Sequence, residues 1–283
     1  MLEPSSTNYI PYSEDFSQSA WYKGNSTITS NTGISPEGIQ NADNLYFNGT
    51  SNAVLKAVTM TTSGKVYTFS IWIKKISANY TNNVSARIEV FGSGAVGTLL
   101  LGDALNSAAV GEFVRYSVTT SASTGGRSDY QFRSDEEATF EVWGAQLEQG
   151  SYATSYIPTQ GSAVTRVADV CNNGGNEQVI NSTEGVLYAE ISALADDGST
   201  RRLSVSDGTN NNRVLIGYSS SNRFQFVVSD GGSVVVNQLI TVSNITQFNK
   251  VAFKYKLNEC AIWINGQEVG TDTTATMPSG LDL

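Results

Sequence analysis

Val66 to Lys75, VYTFSIWIKK, decides the class of fold. Tyr67, Phe69, Ile71 and Ile73 fall on one side of an extended chain, and Thr68, Ser70, Trp72 and Lys74 fall on the other. A period of two is the pattern of a strand that packs one face on a core. On either side of it the pattern recurs. Val84 to Phe91, Phe113 to Thr120 and Ala138 to Gln146 read as further strands, separated by Gly, Ser and Asn clusters that mark turns. No convincing amphipathic helix interrupts them, and the spacing predicts an all-β antiparallel sandwich.

The alternation changes between Tyr152 and Asp169. Tyr156-Ile157-Pro158-Thr159 reads as extended, because proline keeps its predecessor out of the helical region, and Gln160-Gly161-Ser162 reads as flexible chain. A domain boundary is therefore expected near residue 165, with domains of 1–165 and 166–283. Downstream, Val186 to Leu194, Thr200 to Ser206, Arg213 to Tyr218, Arg223 to Ser229, Ser233 to Leu239, Lys250 to Leu257 and Cys260 to Ile264 read as strands. Asp196-Asp197-Gly198, Asp207-Gly208, Asp230-Gly231-Gly232 and Asn265-Gly266 supply the left-handed conformations that tight turns require. Asn265-Gly266 is the strongest hairpin signal in the chain. The second domain is expected to be all-β as well.

Composition narrows the function. The 283 residues suit two β domains, and 40% apolar residues are enough to fill two cores, whereas 15% charged residues fall well below the average for a soluble domain. Ser, Thr, Asn and Gly must cover the surface instead, a mixture suited to a turn-rich protein facing the exterior. The 17 basic residues stand against 26 acidic ones, for a net charge of −9, and no basic run breaks that balance. Nucleic acid and anionic lipid are poor partners for such a surface. Histidine is absent, which removes Ser-His-Asp and Cys-His nucleophiles, His-ligated zinc and His general bases at once. Carboxylate-pair hydrolysis survives this filter. Cys171 and Cys260 lie too far apart in sequence for a local zinc knuckle, and the choice between a disulfide and two thiols stays open. No apolar stretch approaches the roughly 20 residues of a membrane span, and the N-terminus lacks a basic-then-apolar export segment, so no membrane insertion is expected.

Two stretches carry a family resemblance. TNYIPYSEDFSQSAWYKGN (Thr7 to Asn25) and FEVWGAQLEQGSYATSYIPT (Phe140 to Thr159) resemble the two ends of a carbohydrate-binding-module-like jelly roll found in bacteriophage tail and appendage proteins, and YTFSIWIK (Tyr67 to Lys74) resembles its central strand. The second domain resembles the concanavalin A-like or laminin-G-like sandwiches that often follow that jelly roll. GVLYAEIS (Gly185 to Ser192), SDGTNNNRVLIGY (Ser206 to Tyr218), FNKVAFKYK (Phe248 to Lys256) and AIWINGQEVG (Ala261 to Gly270) carry this second likeness. Family members usually continue past the Asn-Gly hairpin and begin before Leu2-Glu3-Pro4. The resemblance therefore implies a second sandwich that is truncated or completed by a neighbouring chain, and a missing start. It implies no cofactor, and it leaves room for a structural calcium at loop ends.

Among candidate ligand residues, Trp21 and Tyr22 follow a polar loop, and Tyr80 and Tyr130 occupy loop-like segments, Tyr130 beside Arg127 and Asp129. An aromatic face amid Asn, Asp and Arg is what a sugar needs: a stacking surface, with polar groups for the hydroxyls. Trp21, Tyr22, Tyr80, Arg127 and Tyr130 are the expected glycan-binding residues, while Trp72, Trp143 and Trp263 are expected to pack. Asp135-Glu136-Glu137 could serve as acid and base or as calcium ligands, but adjacent carboxylates on a turn are far more often solvated. Asp196-Asp197-Gly198 and Asp207-Gly208 read as turn formers. Asn25, Asn48 and Asn181 match the glycosylation pattern, which so Asn- and Ser-rich a chain produces by chance.

The expectation is a non-catalytic appendage protein on a virion surface that binds host cell-surface polysaccharide, gaining avidity as a homo-oligomer. Analogy with phage fibres implies a trimer in contact with other virion proteins. A ligand-free filament or capsid-decoration subunit is the structural alternative. Accessory glycan-binding modules of a polysaccharide-degrading enzyme are the third.

Overall fold

The structure, a computed structural model, describes residues 3–50, 53–76, 87–92, 95–120, 126–170, 174–176 and 178–281. Residues 1–169 form one compact unit and 170–283 another. The first runs through β1 (Ser6–Asn8), β2 (Trp21–Gly24), β3 (Ser26–Ile34), β4 (Gln40–Asn48), β5 (Ala53–Thr61), β6 (Tyr67–Lys75), β7 (Arg87–Gly92), β8 (Ala95–Leu100), a short helix α1 (Gly102–Ser107), β9 (Phe113–Thr120), β10 (Gly126–Ser134), β11 (Glu137–Gln149) and β12 (Val164–Arg166). Two five-stranded antiparallel sheets result, β2-β5-β10-β7-β8 and β3-β4-β11-β6-β9, with β1 paired to β12. Strands β4 to β7 pass from sheet to sheet, and β8 to β11 retrace that path beside them, so that β4 lies by β11, β5 by β10, β6 by β9 and β7 by β8. That order is a jelly roll.

Side-chain alternation fills the space between the sheets. Phe69, Ile71 and Ile73 of β6 point inward with Leu45, Phe47, Phe140 and Val142, and meet Leu55, Ala57, Tyr130 and Phe132 of the facing sheet. The rings of Phe47, Phe132 and Phe140 meet edge to face at 5.1 to 6.2 Å between centroids, the arrangement that aromatic quadrupoles favour.

The outer face of the β3-β4-β11-β6-β9 sheet is covered as well. Thr68 and Ser70, on the outer side of β6, are fully buried. Residues from Gly150 to Tyr156 lie over them: Thr68 Oγ1 donates to the Gly150 carbonyl at 2.9 Å, Arg115 Nη1 donates to the Thr154 carbonyl at 2.5 Å, and the Tyr156 ring lies 4.4 Å from that of Trp143. A bulge in β11 makes this possible. Gly144 takes the left-handed conformation at φ 63°, and a Cβ there would meet Trp72 at 2.9 Å. Beyond the bulge, the edge of β11 that had paired with β4 turns to the N-terminal segment instead. Ala145 N–H donates to the Ser13 carbonyl at 2.8 Å, and Tyr9 N–H donates to the Leu147 carbonyl at 2.9 Å.

The segment expected to be flexible is therefore built in. Gln160 bridges Tyr12, Gly161 N–H donates to the Pro11 carbonyl at 2.6 Å, and β12 pairs residue by residue with β1. Polarity misled the sequence reading at this point, because the segment is held by its backbone and by Thr159, whose hydroxyl donates to the Ile10 carbonyl at 2.6 Å. The chain divides after Asp169, four residues beyond the expected position.

The second unit runs through β13 (Glu184–Ile191), β14 (Arg201–Ser206), β15 (Arg213–Ser220), β16 (Arg223–Asp230), β17 (Ser233–Thr241), β18 (Asn249–Lys256), β19 (Cys260–Ile264) and β20 (Gln267–Asp272). These form two four-stranded antiparallel sheets, β13-β18-β19-β20 and β14-β15-β16-β17. Val214, Ile216, Phe224, Phe226 and Val228 pack against Val251, Phe253, Ile262 and Ile264. Asn265 and Gly266 both have positive φ, 53° and 83°, as a two-residue hairpin loop requires. Cys260 is a buried free thiol, its pKa pushed up by burial, and Cys171 lies outside the described residues. The chain is thus all-β in both units, and none of its described helices is long and apolar enough to cross a membrane.

Candidate functional site

The outer face of β2-β5-β10-β7-β8 carries Tyr22, the one exposed aromatic of the expected set among the described residues. Period two assigns its residues. Trp21 pairs with Ala57 on the inner side, and Tyr22 pairs with Lys56 on the outer side. In β10, Ser128, Tyr130, Phe132 and Ser134 turn inward and are buried, so Asp129, Gln131 and Arg133 hold the outward positions, where Gln131 is itself buried.

Tyr22 is 57% exposed. Its ring lies along the sheet over Gly24, whose missing Cβ would meet Tyr22 Cε1 at 2.8 Å. Lys56 Nζ sits 5.1 Å from the ring centroid and 2.7 Å from Asp129 Oδ2. One ammonium thus joins an aromatic face to a carboxylate, and the cation–π part of that contact contributes about 0.5–1 kcal/mol at an exposed site. Gln131 stands opposite Lys56 in the ladder, and Arg133 pairs with Asp135 at 3.2 Å. The result is a flat ring held at a fixed angle, bordered by donors and acceptors. This arrangement can stack a sugar ring and bind its hydroxyls.

Two of the expected ligand residues are corrected by the structure. Trp21 is core: its indole N–H donates to the Tyr12 carbonyl at 2.8 Å, and its ring packs 4.8 Å from Phe16. Tyr130 is not on a loop but central in β10, fully buried, and burial raises its phenol well above the ordinary range. Arg127 stands opposite Met60 in the β10–β5 ladder, with its side chain outside the described residues; Tyr80 lies outside them altogether. Tyr22 is where a ligand residue would be. Lys56 was missed, and Asp129 was noted only as a neighbour of Tyr130, although the alternation of Arg127, Asp129, Gln131 and Arg133 with Ser128, Tyr130 and Phe132 sets Asp129 on the outward side.

The carboxylates are engaged elsewhere. Asp135 pairs with Arg133, and Glu137 accepts a hydrogen bond from Tyr46 Oη at 2.9 Å. Asp197 caps its turn and pairs with Arg201 at 3.1 Å. Hydrogen bonds from Thr209 and Asn212 to Asp207 hold its carboxyl below the ordinary value. Among the described residues, no three His, Cys, Asp or Glu side chains converge on a common point.

No family model and no curated protein matches the chain. Among solved structures it is similar to the CBM22-2 xylan-binding domain of Xyn10C from Paenibacillus barcinonensis, at 12% identity and a TM-score of 0.35, over 51% of this chain and 98% of that one. It is also similar to the tripod (BppUct-A-L) from the baseplate of bacteriophage Tuc2009, at 12% identity and a TM-score of 0.28, over 91% of this chain and 99% of that one.

The pose of Tyr22 gives a direct test of the site's construction. Gly24 does not have positive φ, so the tyrosine ring edge and Val54 Cγ1, at 3.1 Å, are what a methyl group would strike. Gly24→Ala is expected to turn the ring off the sheet while changing stability by no more than about 1 kcal/mol. Ring-proton chemical shifts of Tyr22 report the first effect, and thermal melting reports the second.

Proposed function

We propose that the chain is a non-catalytic component of a virion appendage that binds host cell-surface glycan at the exposed Tyr22 ring of its jelly roll, with Lys56 and Asp129 at the ring's border. The exposed Tyr22 ring, fixed over Gly24 and bordered by the Lys56–Asp129 pair, is the observation that carries this reading. The resemblance of Thr7 to Asn25 and Phe140 to Thr159 to the ends of phage jelly rolls supports the setting. The lack of histidine and the engagement of Asp135 and Glu137 by neighbours favour binding without chemistry.

A single shallow site gains little after its hydroxyls and lysine are desolvated, so avidity from a homo-oligomer, a trimer by analogy with fibres, would supply useful affinity. The intact chain is expected to bind on a glycan array or to host-envelope polysaccharide. Tyr22→Ala is expected to weaken that binding about tenfold, equivalent to about 1.4 kcal/mol. Equal binding by wild type and Tyr22→Ala would remove the assignment to this face, and absence of any binding would remove the glycan reading.

A further inference from the structure

The second sandwich carries an aromatic row of its own. In β13, Leu187, Ala189 and Ile191 pack on the core, leaving Val186, Tyr188 and Glu190 on the outer face. In β18, Val251, Phe253 and Tyr255 turn inward and Lys250, Ala252 and Lys254 outward; in β19, Ile262 and Ile264 turn inward and Trp263 outward. The register then sets Tyr188 opposite Ala252, Ala252 opposite Trp263, and Trp263 opposite Glu268 of β20. Tyr188 and Trp263 therefore stand two strand spacings apart, roughly 9.5 Å. Between them lies only the methyl group of Ala252, a low floor flanked by two aromatic side chains.

The row is open, and the polar atoms of its two rings have no partner. Tyr188 is 56% exposed and Trp263 partly exposed. Among the described residues, neither the Tyr188 hydroxyl nor the Trp263 indole N–H has a hydrogen-bond partner within the chain. Lys250 and Lys254, the latter paired with Glu259, flank Ala252 along β18, with Glu190 opposite Lys250 and Glu268 beyond Trp263. Two separated rings bordered by charges of both signs make a poor continuous apolar contact for a protein. They suit a ligand that alternates apolar faces with hydroxyls.

We infer that the Tyr188–Ala252–Trp263 row is a second saccharide-binding platform, which takes consecutive sugar rings of a glycan chain lying across the strands. Its ligand class rests on the glycan reading of the first sandwich, but its residues are independent of that site. One sugar ring stacks on Tyr188 and a later one on Trp263, while Lys250, Glu190 and Glu268 bind hydroxyls along the edges.

The four tryptophans make the test site-specific. In the full chain labelled with 15N-tryptophan, the indole N–H resonance of Trp263 is assigned by its loss in Trp263→Phe. The chain is then titrated separately with xylohexaose, cellohexaose, chitohexaose and maltohexaose. Saturable movement of the Trp263 resonance with at least one of these is expected. The midpoint should rise at least tenfold in Tyr188→Ala and stay unchanged in Tyr22→Ala. A Trp263 resonance that none of the four moves, or that moves equally in Tyr188→Ala, overturns the inference. If Trp263 is silent while a hexasaccharide still binds in a Tyr22-dependent way, the inference falls and the first site stands. If Trp263 responds while Tyr22→Ala binds like wild type, the first site falls and this one stands.

Discussion

Asn8→Ala is expected to lower the melting temperature of the jelly roll by about 10 °C, a large effect for the loss of one uncharged polar side chain. Asn8 is fully buried and serves three segments at once. Its amide Nδ2 donates to the Ala145 and Ile157 carbonyls at 3.1 and 2.9 Å, and its Oδ1 accepts from the Ile10 and Leu147 N–H groups at 3.1 and 3.0 Å. Alanine would leave four buried backbone groups without a partner. At about 1–3 kcal/mol for each unsatisfied group, and with partial relaxation, the loss comes to about 3–5 kcal/mol. For a unit of this size that corresponds to about 2–4 °C per kcal/mol. Asn8→Asp separates chemistry from volume: it keeps the shape but turns an acceptor toward two carbonyls, and it is expected to be at least as damaging. A melt of Asn8→Asp that matches wild type would show that the amide's donors contribute nothing.

Glu148→Ala should cost a comparable amount. The Glu148 carboxylate, almost fully buried, accepts from Ser6 Oγ at 2.6 Å, from Thr154 N–H at 3.0 Å and from the Thr154 hydroxyl. It is also the strongest charge favouring the ionised form of the largely buried Arg115, whose pKa burial pulls down. Removing it leaves the buried Ser6 hydroxyl and the Thr154 N–H and hydroxyl without their acceptor, at about 1–3 kcal/mol for each unsatisfied group before relaxation. Glu148→Gln keeps an acceptor for the Thr154 N–H and should lose less. Chemical denaturation of the three proteins checks the order wild type, Glu148→Gln, Glu148→Ala, and a Glu148→Ala midpoint equal to wild type would refute it.

Legibility in the sequence followed local chemistry. Phe113 to Thr120 and Cys260 to Ile264 could be placed to the residue, because alternation and flanking turn residues agree there, and Asn265-Gly266 names its own turn. Strands β3 and β4 were not legible. STITSNTGI and QNADNLYFN hold few apolar residues, and an inward position of β4 is Asp43, buried because the N–H groups of Phe16 and Asn31 both donate to it at 2.9 Å. Burial nonetheless pushes the Asp43 carboxyl above its ordinary pKa. Such a residue looks like a surface residue until its long-range partners are known. The candidate site was half legible for the same reason. Exposure of Tyr22 follows from its neighbours, whereas its pairing with Lys56 and the adjacency of Asp129 depend on strand contacts between distant stretches, the Lys56–Asp129 contact spanning 73 positions. Tyr188 and Trp263 come from strands that β18 brings together, and nothing within either stretch announces the other.

The clamp at the base of the jelly roll has a mechanical meaning. Glu3 and Asp169 bind each other through main chain and side chain at 2.9 Å, Arg166 grips Glu3 at 2.9 Å, and the first rung of the β1–β12 ladder joins Ser6 to Arg166. Both ends of the module leave from the same side of an antiparallel ribbon, so tension between Glu3 and Asp169 would fall on one rung at a time, as in a zip fastener, and not on all rungs in shear. A load applied between these two residues would open this ribbon first and spare the aromatic interior, and the ribbon can re-form once the load passes.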